Sequence, residues 1–425
     1  MTSQPEGHMK VYLRIKPFGK QEDSSQKCFV VTTEENTIEA TAPVLSHTYK
    51  NMKRGLAKSS HKFTFSKIFG EDTTQAKFFN ETMLSMTKDF ISGQNSLVFT
   101  YGVTSSGKTY TIQGMPQDAG ILPRCLDVIF NSISGKQTLT LAFKPLMFTD
   151  VSRLTPEEIM AEKKVKARTM RMSVDDVSNF FITGTIGCAE NLLKDVENRA
   201  REQLKVEVED QGKILFCVWV SFAEIYNEQI FDLLEPLPTK KNSRRPALRI
   251  CDDRNGNPYV KGLKEIHVDS ADEAYRLLTI GQRNLQTACT RLNHCSSRSH
   301  CIFNIKIVRI VDDVARVSML SLCDLAGSER YSKTQATGDR LKEAGNINAS
   351  LMTLGRCIET LRHNQLHKDQ QRLVPFRDSK LTRLLQNFFN GCGRASMIVN
   401  VSQCMSMFDD TLQVFKFSAI AKQVK

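Results

Sequence analysis

The octet Gly102-Val103-Thr104-Ser105-Ser106-Gly107-Lys108-Thr109 fits the phosphate-loop pattern G-x-x-x-x-G-K-[ST] and directly follows an apolar strand candidate at residues 96–100. A glycine-rich turn between strand and helix lets successive N–H groups converge on phosphate oxygens, with the positive end of the helix behind them. Lys108 then reaches the β- and γ-phosphates, and Thr109 offers a hydroxyl to Mg²⁺. A strand, this loop and a helix start in that order point to a nucleoside triphosphate held at one edge of an α/β sheet.

The rest of the chain supplies such a sheet. Strand candidates at residues 11–15, 96–100, 215–222, 301–310, 319–323 and 397–401 alternate with helical patterns. Several are apolar on both faces, so the chain reads as one mixed sheet with helices on both sides. Residues 301–307 instead alternate, with Phe303, Ile305 and Ile307 set against Asn304 and Lys306, and should be half exposed. Residues 134–213 interrupt the plan as one large surface insertion, partly helical and partly mobile. Within it, Thr155-Pro156-Glu157-Glu158 combines an N-cap, a first-turn proline and a capping-box glutamate. Leu193, Val196, Ala200 and Leu204 fall at helical spacing between residues 190 and 208.

Lys+Arg 58 against Asp+Glu 46 leaves a formal charge of +12 and asks for a partner with an acidic surface: nucleic acid, an anionic membrane or an acidic protein. No nucleic-acid fold is evident, and no run approaches the length of a membrane span. The twelve cysteines form no C-x-x-C pair and lie mostly in apolar runs, which reads as reduced thiols of a cytosolic or nuclear protein. Residues 1–9 carry no apolar signal core and read as a leader or tag remnant, leaving 10–425 as a single domain.

Two further motifs bear on the triphosphate. Asn293-His294-Cys295-Ser296-Ser297-Arg298-Ser299-His300 sets short hydroxyls around one arginine ahead of a strand. The hydroxyls can ligate Mg²⁺ or hold a water, and the arginine can pin the loop to a carboxylate; taken alone, such a run is usually just a solvated turn. Then a buried strand ends in Asp324 and runs into Leu325-Ala326-Gly327-Ser328-Glu329. The aspartate can hold the water shell of Mg²⁺, Gly327 can bring its N–H to a γ-phosphate, and Glu329 is the natural partner of Arg298 in a pair that closes around ATP. No N-K-x-D motif is present to read guanine, so ATP is expected over GTP.

Together and in this order, residues 102–109, 293–300 and 324–329 resemble the P-loop, switch I and switch II of a kinesin motor domain. The resemblance runs from Val11 to about Lys422. It includes Arg14-Ile15-Lys16-Pro17 in place of R-x-R-P, Phe-Ala-Glu-Ile-Tyr-Asn-Glu at 222–228, Asn-Ile-Asn-Ala-Ser-Leu at 346–351, and Val-Pro-Phe-Arg-Asp-Ser-Lys-Leu-Thr-Arg at 374–383. The large insertion and the wording at 99–103, 120–124 and 416–421 are similar to the kinesin-6 class of cytokinesis motors. The resemblance implies a P-loop NTPase fold, with a central mixed, largely eight-stranded sheet and helices on both faces. It also implies a microtubule-stimulated ATPase that uses ATP/ADP and Mg²⁺.

By that resemblance Arg14, Lys16 and Pro17 frame the adenine and Tyr110 stacks on it. Gly102, Val103, Thr104, Ser105, Ser106, Gly107, Lys108 and Thr109 hold the phosphates. Ser296 and Ser297 hold the attacking water and Mg²⁺, with Thr109 and, through water, Asp324 also at the metal. Glu329, paired with Arg298, takes the proton through a water relay, and Gly327 senses the γ-phosphate. The microtubule face comprises Lys240, Lys241, Arg244, Arg245, Arg254, Lys261, Arg330, Lys333, Arg377, Lys380 and Arg383.

The pattern of residues 379–389 agrees: Leu381, Leu384, Leu385 and Phe388 make an apolar stripe, with Lys380 and Arg383 on another face. The helix from Lys342 carries Ala344, Ile347, Leu351, Leu354, Ile358 and Leu361 at three- and four-residue steps. Ala349 replaces a tubulin-contacting lysine and Lys16 an arginine, so tubulin and nucleotide are expected to be held somewhat less firmly. Residues 420–425 begin the neck linker, so this chain is expected to be a monomer. The whole protein would pair through a C-terminal coiled coil and work on cytoplasmic spindle and midzone microtubules, with the nucleus as an interphase address. The alternative is a slow, nucleotide-switched microtubule crosslinker or scaffold.

Overall fold

Strands that are apolar on both faces are stable only when both faces are covered, and here each face carries its own layer. The computed structural model describes residues 9–19, 27–32, 34, 36–55, 60–179, 196–208, 214–236, 245–292, 298–329 and 339–424. Its central sheet comprises β1 (Lys10–Lys16), β2 (Lys67–Phe69), β3 (Ser96–Tyr101), β4 (Leu215–Tyr226), β5 (Gln229–Asp232), β6 (Ile266–Val268), β7 (His300–Val311), β8 (Val314–Asp324) and β9 (Arg394–Ser402). Eight of the nine strands lie in the order β5-β4-β7-β8-β3-β9-β1-β2, and β6 pairs with β4 beside them. The half from β8 to β2 is parallel, whereas β5, β4, β7 and β8 pair antiparallel.

The helices that matter for the site are α1 (Lys108–Ile112), α2 (Ile121–Ser132), α3 (Pro156–Asn179), α4 (Ala271–Leu292), α5 (Asp339–Leu366), α6 (Lys380–Phe389) and α7 (Phe408–Ala421). On one face Phe216, Val218 and Phe303 of the sheet pack with Leu126 and Ile129 of α2 and Leu277 of α4. On the other, Leu13, Phe99 and Val399 pack with Leu354 of α5, Leu381 of α6 and Phe415 of α7. Six of the nine cysteines whose side chains are described are buried free thiols, and burial pushes Cys125 and Cys217 up to about 12. No helix among the described residues is long and apolar enough to cross a membrane.

All six expected strands are present, most of them longer than their apolar runs. The run expected over 215–222 continues to Tyr226, where Asn227 and Glu228 both take positive φ (51° and 56°) between the paired Tyr226 and Gln229. That is the geometry of a tight two-residue hairpin whose twist matches its strands.

Two expectations are corrected. First, β7 is not half exposed: Lys306 is only 4% exposed, donates to the Met147 carbonyl (2.7 Å) and pairs with Glu265 (2.6 Å). The cover comes from the insertion, whose hairpin Phe143–Leu146 and Asp150–Arg153 packs Phe143 with Cys217, Trp219, Val308 and Ile310. Polar alternation shows which face tolerates water, but not whether a distant segment excludes it.

Second, residues 199–208, expected as helix, run with neither helix nor strand. They form a strap: Leu204, Val206 and Val208 pack on the core, and Asn131 donates to the carbonyls of Glu202 (2.9 Å) and Leu204 (3.1 Å). Its anchor is buried Arg199, which forks onto Asp127 (2.6 and 2.9 Å) and reaches Asp272 (2.9 Å). The two-residue alternation Leu204-Lys205-Val206-Glu207-Val208 signals an extended chain, whereas Leu193 of the supposed helical stripe lies outside the described residues. The capping box at the start of α3 does form: Thr155 N–H donates to Glu158 (2.8 Å) and Glu158 N–H to the Thr155 hydroxyl (3.3 Å).

Removing one member of a buried ion pair strands the other. Arg199→Ala is therefore expected to cost about 3–5 kcal/mol of stability, read as the urea unfolding midpoint, with Arg199→Ala/Asp127→Asn recovering part of the loss.

Candidate functional site

The parallel strands deliver their carboxyl ends to one edge of the sheet, and β7, antiparallel to β8, begins there. Ligands of open α/β sheets bind outside such an edge. After β3 the chain turns at Gly102 (φ +155°), where any side chain would collide with the Asn400 carbonyl at the end of β9. The loop can therefore lie flat against β9 only with glycine here.

Lys108 is buried, and its Nζ donates back to the carbonyls of Gly102 (2.9 Å) and Val103 (2.8 Å). Burial pulls its pKa below the ordinary lysine range, against the fields of Asp324 and Glu329. The Thr109 hydroxyl donates to Asp324 Oδ2 (2.6 Å) and the Thr100 hydroxyl to Oδ1 (3.2 Å). Burial holds the Asp324 carboxyl above its usual range, opposed by the Thr109 bond, the Lys108 charge and the Thr100 bond.

Beyond Asp324 the chain folds back onto the P-loop. Ser328 N–H donates to the Gly102 carbonyl (3.1 Å), while the Glu329 carboxylate accepts from Thr104 N–H (2.8 Å) and the Thr104 hydroxyl (2.5 Å). A Cβ on Gly327 would strike both the Thr104 hydroxyl and the Glu329 carboxylate, so glycine alone permits this approach. Arg298 lies half buried just ahead of β7.

His300 joins three elements. Its Nδ1 accepts from Ala326 N–H (3.1 Å), so the ring proton sits on Nε2, which faces the Ser350 hydroxyl of α5 at 2.9 Å. Burial, helped by the Lys108 charge, pushes His300 down to about 3.

On the base side, Tyr110 is 41% exposed and donates its hydroxyl to Asp118 (2.6 Å). Lys16 donates to the Ser105 carbonyl (3.2 Å), and Pro17 is exposed. Arg14, expected to frame the adenine, is instead 7% exposed: it donates to Gln75 (2.7 Å) and Thr111 (3.1 Å) and lies over the rings of Phe78 and Tyr110. It supports the tyrosine rather than offering a surface of its own.

Sequence reasoning missed Asn400, which bonds Thr111 (2.8 Å) behind the loop. A lone amide inside the apolar run Met397-Ile398-Val399-Asn400-Val401 was the available signal. It also missed Gln75, whose amide donates to the Tyr110 carbonyl (2.7 Å) from a distant helix.

The basic face is assembled in part. Arg254 and Lys261 are exposed on the hairpin Arg249–Asp252 and Pro258–Lys261, Arg377 is exposed just before α6, and Lys380 and Arg383 lie half buried on α6. Arg383 pairs with Asp252 (2.9 Å), joining α6 to the hairpin, and Lys380 N–H donates to Glu228 (2.8 Å). Leu381, Leu385 and Phe388 are buried beneath, as are Leu351, Leu354 and Ile358 of α5, whose Ala349 is exposed. Arg245 does not belong to this face: it is 6% exposed, donating to the Glu235 carbonyl (2.9 Å). Ser296, Ser297, Lys240, Lys241, Arg244, Arg330 and Lys333 lie outside the described residues.

The P-loop, both switch flanks and α5 thus meet in the order the motifs demand, and the kinesin motor-domain family model matches residues 14–424. The chain belongs to the kinesin motor-domain family. It is 47% identical to the kinesin-like protein KIF20A of Mus musculus, over 98% of this chain and 50% of that protein. It is 42% identical to KIF20B of Homo sapiens (98% and 23% covered) and 39% to KIF23 of Mus musculus (98% and 43%). These relatives are kinesin-6 members. A solved structure described as kinesin 6 aligns with a TM-score of 0.73 at 31% identity, covering 96% of this chain and 98% of that one. The chain spans about half the length of the KIF20A relatives it matches. Kinesin motor domains bind nucleotide and are microtubule-stimulated ATPases.

Mg²⁺ fits the residues present. Among the described residues no group of three His, Cys, Asp or Glu could cage a metal alone. Thr109 and Asp324 offer oxygen donors only, which suits a hard cation that keeps waters and shares phosphate oxygens. Buried Ser106 Oγ and Asn400 Oδ1, without partners here, leave polar capacity at the loop.

Because His300 is held neutral, unfolding below about pH 6.5 takes up a proton that the folded chain refuses, so stability falls as pH drops toward 3. Replacing it by Asn, which does not titrate, is expected to remove on the order of 3 kcal/mol of the acid-induced loss between about pH 6.5 and 4. Urea unfolding at stepped pH measures this.

Proposed function

We propose that this kinesin domain hydrolyses ATP by exchanging the bonds seen at the sheet edge, and that the longer protein uses the cycle for plus-end-directed movement on spindle midzone microtubules during cytokinesis. The observation that supports it best is the docking of Gly327, Ser328 and Glu329 on the P-loop, with Ser328 N–H on the Gly102 carbonyl and the Glu329 carboxylate on Thr104. ATP phosphates draw Lys108 away from the carbonyls of Gly102 and Val103. Thr104 releases Glu329, which pairs with Arg298 and takes, through a water relay, the proton of a water held by Ser296 and Ser297. Gly327 N–H meets the γ-phosphate. Mg²⁺, when bound beside Thr109 and Asp324, supplies charge neutralisation at the phosphate oxygens. The chemistry is positioning and charge compensation rather than covalent catalysis.

His300 gives the cycle its output, since a shift of Ala326 is felt by Ser350 and hence by α5 beneath the polymer face. The exposed Ala349 favours one second reading, a slow nucleotide-switched crosslinker with a weaker tubulin contact.

Steady-state ATPase with and without microtubules separates the two. The motor reading expects strong stimulation, with Glu329→Ala lowering the stimulated rate by about 10²-fold or more while ADP still binds. An unchanged rate in that variant would sink it. Raising salt from about 50 to 200 mM should weaken microtubule co-sedimentation markedly, because the Debye length shortens to within the reach of single contacts.

A further inference from the structure

The return leg of the insertion reaches the nucleotide edge. Tyr110 donates to one carboxylate oxygen of Asp118 (2.6 Å), in the small hairpin Gly114–Met115 and Asp118–Ala119. The other oxygen faces Arg124 at 4.0 Å, and Arg124 Nε donates to the Ala119 carbonyl (2.9 Å). Arg124 then pairs with Glu202 of the strap, each side chain only 12% exposed. The strap grips the same hairpin directly, Ala200 N–H donating to the Pro116 carbonyl (2.7 Å). Glu202 is itself fixed, because its N–H donates to Asp127 (2.8 Å), the carboxylate on which Arg199 forks.

We propose that Glu202 is a positioning residue for the nucleotide base: through Arg124 and Asp118 it sets the ring of Tyr110, making the insertion's strap part of the nucleotide site. The inference rests on the reading of Tyr110 as the base platform.

The physical case is one of tethering. Tyr110 is 41% exposed and its hydroxyl donates to Asp118, so the plane it offers a base depends on where that carboxylate sits. Asp118 lies in a hairpin of four residues and is steadied by a guanidinium held from two sides, by Ala119 and by Glu202. A charged, largely buried partner confines a flexible arginine more strongly than a neutral one does. Burial and the Asp118 bond hold the Tyr110 phenol above its usual range, so it remains a donor at neutral pH.

The test is steady-state ATPase on the whole chain, with inorganic tripolyphosphate as a competitor that lacks the base, for Tyr110→Ala, Tyr110→Phe, Glu202→Gln and Tyr110→Phe/Glu202→Gln. Glu202→Gln is expected to raise KM for ATP by about 3- to 10-fold, the scale of one hydrogen bond, with kcat within about two-fold and tripolyphosphate inhibition unchanged. The double variant should be no worse than Tyr110→Phe, since both changes cut one pathway.

If Tyr110→Ala raises KM but Glu202→Gln does not, the strap inference is overturned and the platform reading stands. An unaltered KM in Tyr110→Ala removes the platform and the strap's role with it. Equal weakening of ATP and tripolyphosphate reduces the strap to a structural brace. Should Glu202→Gln fail to fold, Arg124→Lys, which keeps the charge but cannot bridge Asp118 and Glu202 together, is judged by the same criteria.

Discussion

A lysine taken out of water must be compensated, and the carboxyl edge of this sheet is organised around that requirement. Lys108 sits within the fields of Asp324 and Glu329, with only loop carbonyls as direct acceptors. Glu329 is held by Thr104, and Asp324 by Thr109 and Thr100. On the proposed function, a phosphate adds negative charge beside Lys108, competing with the loop carbonyls and repelling both carboxylates. A site made of compensations rather than rigid cages is suited to switching.

Neutral His300 ties the backbone after Asp324 to α5 through two directional bonds. Glu228 and Asp252 bind α6 to the β4–β5 turn and to the neighbouring hairpin. The apolar undersides of α5 and α6 share one core with the P-loop strand.

Legibility followed distance along the chain. Capping at Thr155 and Glu158, the strand before the P-loop and the stripe of α6 were readable because all the interacting residues lie within a few positions. The cover over β7 was not, because the residues that bury Lys306 come from 147 and 265. Arg245 looked like one of a run of surface cations, yet the carbonyl that holds it belongs to Glu235. Arg14 looked like an open wall of the base site and proved to be a brace beneath Tyr110.

By itself the sequence determined that a phosphate loop sits at the end of a buried strand, that a second strand ends in aspartate, and that the chain is kinesin-like, because these features are local spacings of particular side chains. Only the tertiary structure decided where the extended residues 199–208 dock as a strap. Arg199 finds its counter-charges at 127 and 272, and no local pattern encodes partners more than seventy residues away in either direction. The loop's glycines and lysine are legible as chemistry, whereas the contacts of Tyr110, with Asp118 at its hydroxyl and Arg14 over its ring, are set by the fold.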